Sequence, residues 1–164
     1  MHKIATLTDT GSIDTRDWEE LLCTSAQEVF EMMIGIPLQR CPDTLPYQAG
    51  EFTAVIGLAG VLNGVFAIRC DAQTACGIAC GMLGVDEKEA RAEVWDALGE
   101  VCNMVSGSFK GKTGKAGEMS VISVPTVIRG HDYRVRPLIN GSFVECRLQT
   151  AEGMIHLRLD YKLG

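Results

Sequence analysis

Two stretches near the C-terminus alternate apolar and polar residues with the period of a strand. In Ser142 to Gln149, Val144, Cys146 and Leu148 point one way, and Phe143, Glu145, Arg147 and Gln149 point the other. In Met154 to Tyr161, Ile155, Leu157, Leu159 and Tyr161 make the apolar side, and Met154, His156, Arg158 and Asp160 the polar side. Ala151-Glu152-Gly153 supplies a tight turn between them. A hairpin of this kind has one face that must be covered. Whatever folds around it has to supply apolar surface to that face and leave the other to polar groups. His156 and Arg158 then read as members of a solvated sheet face.

The cover is legible upstream. Trp18, Leu21, Leu22, Ser25, Ala26, Val29, Phe30 and Met33 recur at helical spacing, with Asp14 or Thr15 as candidate caps and Gly35 and Pro37 as stops. Residues 38–50 read as a connection with room for a short edge strand. Glu51 to Val61 and Val65 to Cys70 read as strands around Leu62-Asn63-Gly64, since Asn-Gly is a strong hairpin signal. GLAGVLNG in this region lacks the Lys-Ser/Thr ending of a phosphate-binding loop. Asp71 caps a helix of small residues, Ala72 to Leu83, suited to close helix–helix packing, and Gly84 ends it. A third helix, from Glu87 to Lys110, is long enough to cross the whole fold.

Residues 111–118 read as a flexible loop. MSVISVPTVIRG reads as a strand broken at Pro125, and Tyr133 to Ile139 as an edge strand, because Pro137 cannot sit in a central one. Helices precede and divide antiparallel strands, with no repeated strand–helix–strand unit. The expected class is therefore α+β, with long helices packed on one face of an antiparallel sheet. Residues 1–13 read as a loose lead-in and 14–164 as one domain.

Several functions are disfavoured by composition. The net charge is −6, and no block of Lys and Arg exists to bind nucleic acid. No apolar run reaches the length of a membrane span. Seven cysteines, an odd number without a C-x-x-C pair or a secretion signal, read as buried free thiols in a reducing cytoplasm. Cys76 and Cys80 stand at i, i+4, but His2, His131 and His156 are distant in sequence, so no metal site is expected.

The helix from Glu87 onward has an unusual polar face. On a helical wheel Asp96, Gly99, Glu100, Asn103, Ser106, Gly107 and Lys110 share one arc, opposite Leu98, Val101, Cys102, Val105 and Phe109. Two glycines there cost about 1 kcal/mol each relative to alanine, which suggests a face kept low so that something can approach it. Asp96, Glu100 and Asn103 point the same way within about 60°. Carboxylates and an amide on a rigid rod, without a nucleophile, look like half of an active site. Taken alone, Glu100 and Asn103 better suit an ordinary solvated face, and Asp96 with Glu100 offers too few oxygens for an octahedral cation.

The pattern Asp96-x-x-x-Glu100-x-x-Asn103, followed 22 positions later by Pro125, resembles the CheC/CheX/FliY family of chemotaxis phosphatases. Gly57, Gly60 and Gly64, NMVSG at 103–107 and PTVIRG at 125–130 strengthen the resemblance. The single motif copy and the element order look most like CheX. The resemblance implies an aspartyl-phosphate phosphatase acting on a phosphorylated CheY-type response regulator. Glu100 would pair with a lysine of the partner, and Asn103 would hold the attacking water. Gly99 and Gly107 would give clearance at a partner-binding surface, and Asp96 would either tune that surface or solvate the helix. Mg²⁺ would belong to the partner, with no cofactor of the chain's own. The resemblance also implies a homodimer. Two alternatives remain at this level: a non-catalytic adaptor that binds response regulators, and an autonomous metal hydrolase built on Asp96 and Glu100.

Overall fold

The computed structural model describes residues 13–42 and 50–164. The expected lead-in therefore lies outside the described residues except for Ile13, which packs on the core. The α+β expectation holds: an antiparallel seven-stranded sheet carries helices on one face. Its strands are β1 (Gln39–Arg40), β2 (Phe52–Gly60), β3 (Leu62–Cys70), β4 (Ser120–Ile122), β5 (Thr126–Arg129), β6 (Ser142–Gln149) and β7 (Met154–Leu163). The spatial order is β1-β6-β7-β3-β2-β4, with β5 also pairing β2. The C-terminal hairpin forms as its alternation demands: Cys146, Leu148, Ile155, Leu157, Leu159 and Tyr161 are all buried. Its partner strand at the centre is β3, in the register Phe66↔Leu159 and Ile68↔Leu157.

The Asn63-Gly64 turn does not form. The chain reverses earlier, at Gly60 to Leu62, where Gly60 adopts φ +134°, a conformation open to glycine. Asn63 and Gly64 lie inside β3, paired with Lys162 and Tyr161. Gly64 serves packing instead, since a Cβ there would stand 2.4 Å from the carbonyl oxygen of Asp160. The break at Pro125 does form. It divides one edge into β4, which pairs Leu58 to Gly60, and β5, which pairs Phe52 to Val55. Between them Ser123 both donates its N–H to the Gly57 carbonyl and accepts the Gly57 N–H on its hydroxyl.

Tyr133 to Ile139 is not an edge strand. β5 lies at one side of the sheet and β6 two strands beyond its centre, so the connection has to cross the outer face. Tyr133 marks the crossing, with its hydroxyl 2.5 Å from Thr53 Oγ1 on β2. The expected short edge strand appears as β1, two residues long, against Leu148 and Gln149.

The inner face is covered by α1 (Trp18–Val29), α2 (Ala72–Leu83) and α3 (Glu87–Lys112). Trp18 anchors α1 between Phe109 of α3 and Tyr161 of β7, with ring centroids 5.6 and 4.8 Å away. Neither Asp14 nor Thr15 is the N-cap; that position is Asp17, and Asp14 instead binds Arg16. A π-helical turn, Phe30–Ile34, widens the end of α1 before Gly35 at φ +75°. The wider turn puts Ile34 in the core and leaves Met33, expected there, 61% exposed. The small residues of α2 pack along α3 as expected.

Asp71 and Asp86 cap α2 and α3 by accepting the N–H groups of Thr74 and Glu89 at 2.7 and 3.0 Å. After α3 the segment expected as a flexible loop contains a short helix, α4 (Lys115–Glu118). Gly117 permits it, because a Cβ at 117 would overlap the Lys110 carbonyl oxygen at 1.8 Å. Ser120 locks the exit by donating to Ala116 O and accepting from Leu62 N. No described helix is long and apolar enough to cross a membrane.

All seven cysteines are free, and six of them are buried. Burial pushes the Cys70 and Cys102 thiols up to about 12, far from reactive thiolate.

A candidate partner-facing active site on the long helix

The 26 residues of α3 make a rod roughly 39 Å long. Its buried stripe is Val94, Leu98, Val101, Cys102, Val105 and Phe109, with Ala90 and Ala97. That stripe fixes the rotation of the rod. The opposite side is left open, with Asp96 and Glu100 exposed and Asn103 and Gly107 half-buried. Among the described residues neither Glu100 nor Asn103 has a side-chain hydrogen bond or ion pair. The structure thus brings Asp96, Glu100, Asn103 and Gly107 onto one accessible strip.

Gly99 and Ser106 do not belong to that strip. Both are buried. The position a Cβ would take at Gly99 faces Pro125 at 3.4 Å and Val127 at 3.8 Å, so the clearance there serves the chain's own β4–β5 junction and not an incoming molecule. Ser106 turns its hydroxyl back onto the Asn103 carbonyl at 3.1 Å. Gly107 differs from Gly99: nothing lies within 4 Å of its absent Cβ.

Two apolar residues that the helical wheel did not single out stand near the strip. Trp95 is 45% exposed, one position before Asp96, and rests its ring on the edge of Phe52 at 5.6 Å. Val124 is 84% exposed in the junction that Pro125 seats on Gly99. Half-exposed aromatic and aliphatic groups beside polar ones are typical of the centre of a docking surface. For Trp95 the signal was available in sequence as a large aromatic beside the acidic arc. For Val124 it was not, because only the pairing of β4 and β5 with β2 brings the junction to α3.

The strip offers two polar side chains with different abilities. The Asn103 amide can accept and donate at once, which suits holding a water in a fixed direction. Glu100 can meet a cation. Cavities of about 490, 360 and 520 Å³ elsewhere on the protein are lined by other residues. Among the described residues no group of three or more His, Cys, Asp or Glu is placed to hold a metal ion.

A sequence profile described as chemotaxis phosphatase CheX matches residues 52–149, a span that contains all of α3. The chain belongs to the CheX family. The CheY-P phosphatase CheX of Thermotoga maritima is 28% identical over 119 residues, 70% of this chain and 77% of the relative. The fold is also that of the CheX chemotaxis protein of Desulfovibrio desulfuricans, at 23% identity and TM-score 0.76, covering 89% of this chain and 99% of that one. The CheX–CheY–BeF₃–Mg²⁺ complex of Borrelia burgdorferi contains a further chain of this fold, at 21% identity and TM-score 0.71, covering 89% and 98%.

Proposed function

We propose that this chain accelerates hydrolysis of the phosphoaspartate of a CheY-type response regulator, and that α3 is inserted into the partner's active site to do so. The observation that carries the reading is the pair Glu100 and Asn103, presented together on the open side of a buttressed helix and unengaged by their own chain's described residues. The Thermotoga relative is named for this activity, and the Borrelia structure is a complex with CheY that includes Mg²⁺.

In this reading Glu100 pairs with a lysine of the partner and fixes the helix in register. Asn103 accepts a hydrogen bond from a water and holds the water's oxygen in line with the acyl phosphate. That oxygen forms a bond to phosphorus as the bond to the aspartyl carboxylate breaks, releasing inorganic phosphate and the free carboxylate. Mg²⁺ belongs to the partner and neutralises charge on the phosphoryl oxygens. The contribution of this chain is positioning. Gly107 lets the partner's surface approach the second half of the strip, and Asp96, Trp95 and Val124 border the contact.

The reading includes a cytoplasmic setting and pairing of two copies. Among the described residues β1 covers β6 only at Leu148 and Gln149, which leaves an open strand edge beside Phe143, 53% exposed. Light scattering across a range of concentrations checks the dimer.

The function is tested by following phosphate loss from a phosphorylated CheY-type regulator with and without this chain. Acceleration that disappears in Asn103→Ala supports the proposal. Tight binding without acceleration would instead make the chain an adaptor.

A further inference from the structure

Two thiols share one face of α2. Cys76 and Cys80 stand four residues apart, which puts their Cβ atoms roughly 6 Å from each other on one side of the helix. The two side chains interact directly, by a thiol–thiol hydrogen bond. The Cys76 thiol also donates to the Glu87 carbonyl oxygen at 3.7 Å, and the Arg91 guanidinium reaches the same sulfur from α3. Arg91 holds the Glu87 carboxylate as well, at 2.6 Å.

Both thiols line a cavity of about 490 Å³. Ile34, Ile36 and Pro37 form one wall of it, and the β6–β7 turn at Glu152 forms another. These walls come close to α2 because Gly77 and Gly81 follow the two cysteines. A Cβ at Gly77 would stand 2.8 Å from Glu152 Cγ, and one at Gly81 would stand 2.8 Å from the Ile34 carbonyl oxygen. Cys76 is buried, whereas Cys80 keeps partial exposure and gives the pair an entry path.

We propose that Cys76 and Cys80 bind one soft monovalent cation, Cu(I), between their two sulfurs. Thiolate donors select Cu(I) and zinc. Zinc takes four ligands in a structural site, and among the described residues no group of three or more His, Cys, Asp or Glu is placed to hold a metal ion. Glu87 lines the cavity, but its carboxylate is held by Arg91. Binding replaces two S–H bonds by two S–Cu bonds, releases two protons and leaves the oxidation state of the ion unchanged. The product carries one net negative charge, and Arg91 stands beside it. Burial, followed by Cys80, raises the Cys76 thiol above its ordinary value, so the proton stays on that sulfur until the ion displaces it. The site uses no residue of the α3 strip, so its occupancy is separable from the phosphatase reading.

The test titrates the reduced full chain with Cu(I), without oxygen, in competition with a chromophoric Cu(I) chelator. Ultraviolet thiolate-to-copper absorption is the second readout. The expected result is one tight equivalent whose affinity rises about a hundredfold per pH unit, the slope of two released protons. Zn²⁺ titrated alone shows no tight equivalent. Cys80→Ser, at a partly exposed position, lowers the Cu(I) affinity by more than about a hundredfold, since losing an outer contact alone costs up to that much. Cys76→Ser does the same, and Cys41→Ser leaves the equivalent in place. A parent chain without a tight equivalent overturns the proposal. So does an equivalent that survives Cys80→Ser, which would assign the ion to the other thiols. A tight Zn²⁺ equivalent that Cys80→Ser abolishes overturns the two-sulfur form. If Cys76→Ser does not fold, Cys80→Ser with native circular dichroism still decides.

Discussion

Gly99 lies directly beneath Pro125, with 3.4 Å between the proline Cγ and the place a Cβ would occupy. That is ordinary contact distance, so a methyl group fits and a larger side chain does not. Gly99→Ala is expected to raise stability by up to about 1 kcal/mol through helix propensity, with phosphatase activity kept. Gly99→Leu is expected to displace the β4–β5 junction and lower Tm. Thermal denaturation of both variants checks this. A Gly99→Ala variant of full stability that has lost activity would return this glycine to the partner-facing strip.

Gly107 makes the opposite case. Its missing Cβ faces open space. Gly107→Ala should stabilise the free protein by about 1 kcal/mol, while Gly107→Leu should slow phosphate release by crowding the partner. Stability and activity therefore move in opposite directions at this one position, which a packing role would not produce. Chemical denaturation together with the dephosphorylation assay provides the measurement.

Glu100 and Asn103 divide the work differently. Asn103→Ala should lower the turnover rate by about 10²-fold, the scale of a lost positioning contact, with little change in half-saturating regulator concentration. Glu100→Ala should raise that concentration as well, because its partner lysine is engaged before and during the reaction. Turnover measured over a range of phosphorylated regulator separates the two. Both side chains project from the solvent side of α3, so neither substitution should alter Tm noticeably.

His156 gives the fold a pH dependence away from the site. Burial leads the causes that depress its titration from the ordinary 6.5, with Glu145 opposing. A histidine held neutral in the folded chain binds its proton more readily when unfolded. Its contribution is therefore fully present above about pH 6.5 and is lost as pH falls below that value toward the folded one. Unfolding free energy measured from pH 7.5 to 5 should fall, and His156→Gln should flatten that part of the curve. An identical slope in the variant would assign the effect to other groups.

Much of the architecture was legible because it rests on local rules. Alternation in 142–149 and 154–161 could satisfy only a sheet with one covered face. Asp71 announced the helix that it caps. The period of α3 placed Glu100 and Asn103 outward, since the apolar stripe at Leu98, Val101, Cys102 and Val105 leaves the helix a single rotation. What failed depended on residues remote in sequence. Asn63-Gly64 carries a turn signal, yet the approach of Asp160 in β7 makes Gly64 a packing residue within a strand. Pro137 ruled out a central strand without saying that its segment must cross the sheet to reach β6.

The same division runs through the candidate site. The sequence by itself determined which side chains the long helix would offer, because a helix sets the angular order of its residues from their spacing alone. It could not determine which of them another part of the chain would cover. Only the tertiary structure, by folding the Pro125 junction onto α3, buried Gly99 and left Glu100, Asn103 and Gly107 open. Burial is a property of two surfaces meeting, and the second surface came from residues 26 positions away.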